Sequence, residues 1–169
     1  MNQITQADAA LQHAIEAFLH LEARLLDTWQ LEEWQTLFTE DGEYMIPPFN
    51  TPDAETVEPT EKLFYAVDNR ETLHARAERM LRKDAYAESP RSNIRHMVSN
   101  VIVLSDNGKE LRVTNNLVVY RFRRGELSIY VGVVYYDLVR QGSDFKIRCK
   151  RVCLDNNSLK PQGSLAIIL

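Results

Sequence analysis

Four histidines and two cysteines are the side chains best suited to chemistry in this chain of 169 residues. His13 and His20 lie seven positions apart in a stretch with helical spacing. That places them about 10.5 Å apart along the helix axis, too far to share a metal ion, so both are expected on a helix surface. His74 follows Leu73 on a third helical stretch and reads as surface or partner-facing. His96 is different: it alternates with Ile94, Val98, Asn100, Ile102 and Leu104 on one face of a strand. If that face points inward, Asp27, Tyr44, Asn100 or Asp155 could approach the imidazole and complete an acid–base pair. Spacing fixes no second half of such a pair, so the first expectation is a hydrogen-bonded structural histidine and no catalytic residue in the chain. The alternative is a site built on His96, Asp27 and Tyr44.

Cys149 and Cys153 fall on one strand, four residues apart. Their Cα atoms would then be roughly 13 Å apart, well beyond disulfide range, which leaves them as small apolar packing residues. No phosphate-binding loop, dinucleotide fingerprint, His-Glu-x-x-His helix, nucleophile elbow or Cys-x-x-Cys pair occurs. The chain is therefore expected to hold no metal, nucleotide or other cofactor of its own. A net charge of −4 and the lack of a basic, aromatic-interleaved surface argue against nucleic acid. No charged and apolar leader and no run of eighteen apolar residues is present, so no membrane span and a cytoplasmic location are expected.

The elements that must position these residues follow from periodicity. Apolar residues at Leu11, Ala14, Ile15, Phe18, Leu21, Leu25 and Trp29 predict an amphipathic helix over 5–29, with Asp8, Gln12, Glu16, Arg24 and Asp27 on its polar face. A shorter helix is expected over 31–38, ended by a turn at 39–42, then a strand over 43–46 stopped by Pro47 and Pro48. Residues 49–60 lack periodicity and read as a functionally shaped loop. A short strand at 63–67 and a helix over 70–84, capped by Asp68 or Asn69, come next. Four long alternating runs follow, at 94–104, 111–122, 127–139 and 145–154, separated by Asn-Gly, Arg-Gly and Gln-Gly punctuation: an antiparallel meander. Helices first and a curled sheet afterwards make one α+β domain over 1–169. Its natural closure is a cone resembling the nuclear-transport-factor-2-like (NTF2-like) fold, a strongly curved sheet wrapped over the first helix.

Two surfaces suggest a partner. The nearly uncharged end, 164–169, needs covering, by a partner or by the chain's own sheet. On the fourth run Lys146, Arg148 and Lys150 alternate on one face, opposite Phe145, Ile147, Cys149 and Cys153. Arg151 falls in the apolar register and should find a carboxylate or carbonyls there.

Taken in order, Phe18 through Asp27, Glu33 through Pro47, Ser99-Asn100-Val101 after Arg95, Tyr130-Val131-Gly132, Arg151 through Asn156 and the apolar end resemble the small, or beta, subunit of bacterial aromatic-ring-hydroxylating dioxygenases. These are Rieske non-haem iron oxygenases. Members of that family often carry Trp where this chain has Met45, a departure that touches local packing. The resemblance implies a chain without an active site, packed beneath a large (alpha) subunit in an α3β3 hexamer. The Rieske [2Fe–2S] cluster and non-haem Fe(II) would lie in that large subunit, which would dihydroxylate an aromatic substrate. The residues agree with this division: neither cysteine has a histidine at Rieske spacing, and no facial triad is recognisable.

Overall fold

The computed structural model describes residues 8–82, 88, 90–156 and 167–169. Helix α1 (Ala9–Asp27) begins where the Asp8 carboxylate accepts the Leu11 amide at 2.7 Å, and a one-turn helix α2 (Leu31–Trp34) follows and tightens into a 3₁₀ turn at Gln35–Leu37. Strands β1 (Phe38–Ile46) and β2 (Ala66–Asp68) precede helix α3 (Arg70–Leu81), and four long strands complete the chain: β3 (Asn93–Asp106), β4 (Glu110–Arg123), β5 (Glu126–Gln141) and β6 (Asp144–Leu154). No helix among the described residues is long and apolar enough to cross a membrane.

The six strands form one mixed sheet in the order β2-β1-β6-β5-β4-β3. The predicted meander is the β6-β5-β4-β3 portion, antiparallel throughout, and the β1–β6 pair is parallel. At the β4–β5 turn Arg124 and Gly125 both have positive φ, the two-residue turn whose twist matches its strands. Extra residues enter near Asn100, near Leu104, at Arg148 and between Phe38 and Glu43, and such bulges bend the sheet around α1.

Four expectations need correction. On α1 the predicted Leu11, Ala14, Ile15, Phe18, Leu25 and Trp29 do join or pack against the core, but Leu21 points to solvent and Leu19, Glu22 and Leu26 are buried in addition. Residues 39–42 are no turn: they belong to β1, where the bulge accommodates them, and Gly42 leaves no room for a Cβ, which would lie 2.8 Å from the Thr39 carbonyl oxygen. The short strand sits at 66–68 instead of 63–67. On β6 the pairing passes from Leu138–Ile147 to Asp137–Cys149, so Arg148 is an extra residue and the alternation changes phase. Phe145 and Ile147 face the core, but beyond the bulge Lys150, Val152 and Leu154 take the inner face. Lys150 is thus buried, while Cys149, Arg151 and Cys153 lie on the outer one.

Helix α3 is closed by a capping box on Asn69, whose side chain accepts the Thr72 amide at 3.0 Å while its own amide donates to the Thr72 hydroxyl at 2.9 Å. The predicted end of that helix at 83 and 84 lies outside the described residues. So do 164–166 of the apolar tail, but Ile167, Ile168 and Leu169 are buried within this chain.

Gly132 on β5 leaves no room for a side chain, since a Cβ there would stand 2.2 Å from the Cys153 carbonyl oxygen. Backbone on backbone has little room to relax, so Gly132→Ala is expected to cost about 3 kcal/mol. In urea the unfolding midpoint should fall while the m-value stays unchanged.

Candidate functional site

The alternative site of the sequence reading is assembled in part. Asp27, in the last turn of α1, reaches β3, where one carboxylate oxygen accepts both the His96 backbone amide at 3.0 Å and ring Nδ1 at 2.7 Å. Asp27 is therefore partly buried, not on a solvated helix face. The other ring nitrogen, Nε2, lies 3.3 Å from the Ile168 carbonyl oxygen, and the imidazole side chain is 2% exposed. Tyr44 is engaged elsewhere: its hydroxyl donates to the Leu169 carbonyl at 3.4 Å and accepts the Leu169 amide at 3.1 Å. Burial raises the Tyr44 phenol well above its usual range, with the Leu169 contact opposing. Asn100 and Asp155 are exposed. The pair is thus formed, the tyrosine is not part of it, and both ring nitrogens face protein atoms.

Sequence reasoning missed a second cluster deeper in the cone. One Glu22 oxygen accepts from Lys150 Nζ at 2.7 Å and from Trp34 Nε1 at 3.1 Å; the other accepts from the Tyr136 hydroxyl at 2.8 Å. Glu22 and Lys150 are each 2% exposed. The Lys150 ammonium also lies 5.6 Å from the Tyr136 ring centroid. Burial, then the Glu22 charge, hold the Tyr136 phenol well above its ordinary value. Glu22 was detectable as a charge three residues after Leu19 and four before Leu26, inside the apolar stripe. Lys150 was not, because the bulge that turns it inward leaves no mark in the alternation. A third buried group joins Arg121 to Glu88 and Ser92, the last also receiving the Trp29 indole N–H at 3.2 Å. Arg121 carried a similar signal, a charge in the register of Leu117 and Val119.

The outer face carries an open groove of about 590 Å³ lined in part by Glu43, Glu55, Arg112, Tyr135, Arg148 and Arg151. Its three arginines are engaged. Arg112 pairs with Glu55 at 3.1 Å, Arg148 with Glu110 at 2.6 Å, and Arg151 donates to the carbonyls of Val57 at 2.6 Å and Ala54 at 3.3 Å. Carbonyl partners for Arg151 were expected, on the core face; the bulge puts it on the outer face instead, where the loop at 49–60 supplies them by lying over β6. Burial pushes the thiols of Cys149 and Cys153 up to about 11. His13 and His20 are exposed, and the exposed His74 bonds Gln35 at 2.8 Å. Among the described residues no three His, Cys, Asp or Glu side chains are grouped as metal ligands would be.

A family model described as the ring hydroxylating beta subunit matches residues 21–161. The small oxygenase component of the p-cumate 2,3-dioxygenase system of Pseudomonas putida is 41% identical over 155 residues, covering 92% of this chain and 85% of that protein. The chain belongs to the ring-hydroxylating dioxygenase beta subunits. A chain of a naphthalene 1,2-dioxygenase structure with indole bound in the active site superposes on this beta subunit with a TM-score of 0.82 at 21% identity, over 99% of this chain and 90% of that one. An NTF2-like protein with a cystatin-like fold from Novosphingobium aromaticivorans does so at 0.62 and 17%, over 87% and 83%. These likenesses establish the fold as the curved α+β sheet of the NTF2-like class.

Two outcomes follow for this beta subunit. Glu22→Gln leaves the Lys150 ammonium buried without a counter-charge and is expected to cost about 3–5 kcal/mol in denaturant unfolding. Adding Lys150→Met removes the stranded charge, so the double variant should be more stable than Glu22→Gln alone. With thiols near 11, only about one molecule in a thousand carries a thiolate at pH 8. Intact-mass measurement after maleimide treatment should find both cysteines unlabelled in the folded chain and labelled in urea.

Proposed function

We propose that this beta subunit is the assembly component of a multicomponent aromatic-ring dioxygenase and contributes no reacting group. In this reading it associates as one domain with a large (alpha) subunit and with its own copies, as α3β3, in the cytoplasm. The Rieske [2Fe–2S] cluster and the non-haem Fe(II) that dihydroxylate the aromatic ring belong to the large subunit. The observation that carries the reading is the state of the cone's interior. His96 is closed between Asp27 and Ile168, Tyr44 is taken up by Leu169, and Glu22 spends both oxygens on Lys150, Trp34 and Tyr136. A general acid or base needs a ring nitrogen or carboxylate aimed at space where a substrate can sit. The two cysteines, four apart with no histidine between them, likewise suit packing better than cluster ligation. Paired subunits diverge together, so 41% identity to the p-cumate component supports an aromatic carboxylate as the substrate class of the assembled enzyme.

Co-expression with its large subunit should give a stoichiometric complex. In that complex His96→Ala is expected to leave turnover of the aromatic substrate within about twofold while lowering stability by about 1–3 kcal/mol, because Asp27 loses a buried partner. A fall in kcat of two orders of magnitude or more at unchanged stability would place a reacting group in this chain.

A further inference from the structure

Residues 167–169 are seated inside the cone without belonging to its secondary structure. Ile167, Ile168 and Leu169 are 2%, 3% and 0% exposed, yet they lie in no strand or helix, and no backbone–backbone hydrogen bond among the described residues holds them. Buried N–H and C=O groups need partners, and in a core segment these are ordinarily other backbone groups. Here two side chains take that part, as they would for a bound peptide. His96 turns Nε2 to the Ile168 carbonyl oxygen at 3.3 Å, while the Tyr44 hydroxyl accepts the Leu169 amide at 3.1 Å and donates to the Leu169 carbonyl at 3.4 Å.

Both receiving groups are held by other parts of the chain. Asp27, at the end of α1, fixes His96 through its backbone amide at 3.0 Å and ring Nδ1 at 2.7 Å. The Tyr44 ring meets the Trp34 indole edge-on, 6.2 Å between centroids, and that indole donates to Glu22 at 3.1 Å. None of these contacts involves 167–169, so the two groups are aimed inward by the rest of the fold, and such preorganisation lowers the cost of binding. His96 lies on β3 and Tyr44 on β1, with β6, β5 and β4 between them in the sheet. Consecutive Cα atoms are only about 3.8 Å apart, so Ile168 and Leu169 can engage both only where the curl of the sheet brings these strands face to face.

We propose that the interior of the cone between α1, β1 and β3 is a binding site for an apolar peptide, and that residues 167–169 are its resident ligand. His96 and Tyr44 read the ligand's main chain, and the surrounding core receives its isoleucine and leucine side chains. A short link holds a tethered ligand at an effective concentration on the order of millimolar, so a segment that stays seated binds in trans with a Kd below about 1 mM. Such a site gives the chain a binding activity besides assembly, and the function proposed above stands or falls without it.

The test compares the full chain with a chain stopping at residue 166, each titrated with a synthetic peptide carrying the sequence of residues 164–169. Calorimetry should find the peptide bound one to one by the shortened chain, with a Kd below about 1 mM, and not bound by the full chain, whose site is filled. Diethyl pyrocarbonate should modify His96 in the shortened chain and spare it once the peptide is added, with the exposed His13 and His20 modified throughout. In the shortened chain Tyr44→Phe should weaken the peptide by at least about threefold, the loss of one hydrogen bond. A peptide carrying Ile167→Asp and Ile168→Asp should not bind. If the shortened chain does not fold by itself, refolding it with the unaltered peptide should recover the circular dichroism of the full chain. Two results overturn the proposal: a folded shortened chain that binds no peptide, and an unfolded one that the peptide does not restore. Either would make 167–169 an inseparable part of the core.

Discussion

One buried ion pair ties this fold together. Glu22 projects from the middle of α1 into the cone and meets Lys150, which only a phase change on β6 can deliver to that side. Around the pair converge the Trp34 indole from α2 and the Tyr136 hydroxyl from β5, so four elements are fixed relative to one another by a single carboxylate. Such a pair adds little net stability over apolar packing of the same shape, because both charges lose their water. It does restrict register. A slip of one residue along β6 would turn Lys150 to the outer face and leave Glu22 without a counter-charge, so the bulge at Arg148 and the helix position of Glu22 must occur together.

Polar groups in the interior of an NTF2-like cone are what a catalytic member of such a fold would need, and this chain has several. Their partners set their use. A carboxylate that accepts from an ammonium, an indole and a phenol is saturated, and an imidazole held between a carboxylate and a backbone carbonyl has no free edge. The buried end of the chain contributes directly, since Ile168 meets His96 and Leu169 meets Tyr44. In the function proposed here those hydrogen bonds hold the cone's polar groups in place, and its outer surface is what it presents to its surroundings.

Much of this was legible in the residues. Long alternating runs with turn residues between them place β3 to β6 within a few positions, because period-two alternation over ten or more residues has no helical counterpart. His96 and Asp27 were readable as possible partners since both approach the interior from known elements. Tyr44 was not separable from them, for nothing in its neighbourhood announces that Leu169 will return to it from 125 positions away. The face of Lys150 was misread for a different reason: one inserted residue inverts every side chain beyond it, and Arg148 looks like any other member of the run. Glu22 was the readable omission, a charge at a core position of an otherwise apolar stripe. Arg151, treated in that way, was given the right kind of partner, backbone carbonyls, but the wrong face, because the same inserted residue turns it outward.

The central claim is a division of labour in which this chain organises and its partner reacts. The most direct measurement is the iron and acid-labile sulfide content of the chain purified alone and of its complex with the large subunit, with aromatic dihydroxylation assayed on both. The account predicts no iron, no sulfide and no turnover in the isolated chain, and all three in the complex in proportion to the large subunit. Iron bound by the isolated chain, or turnover without the large subunit, would contradict it.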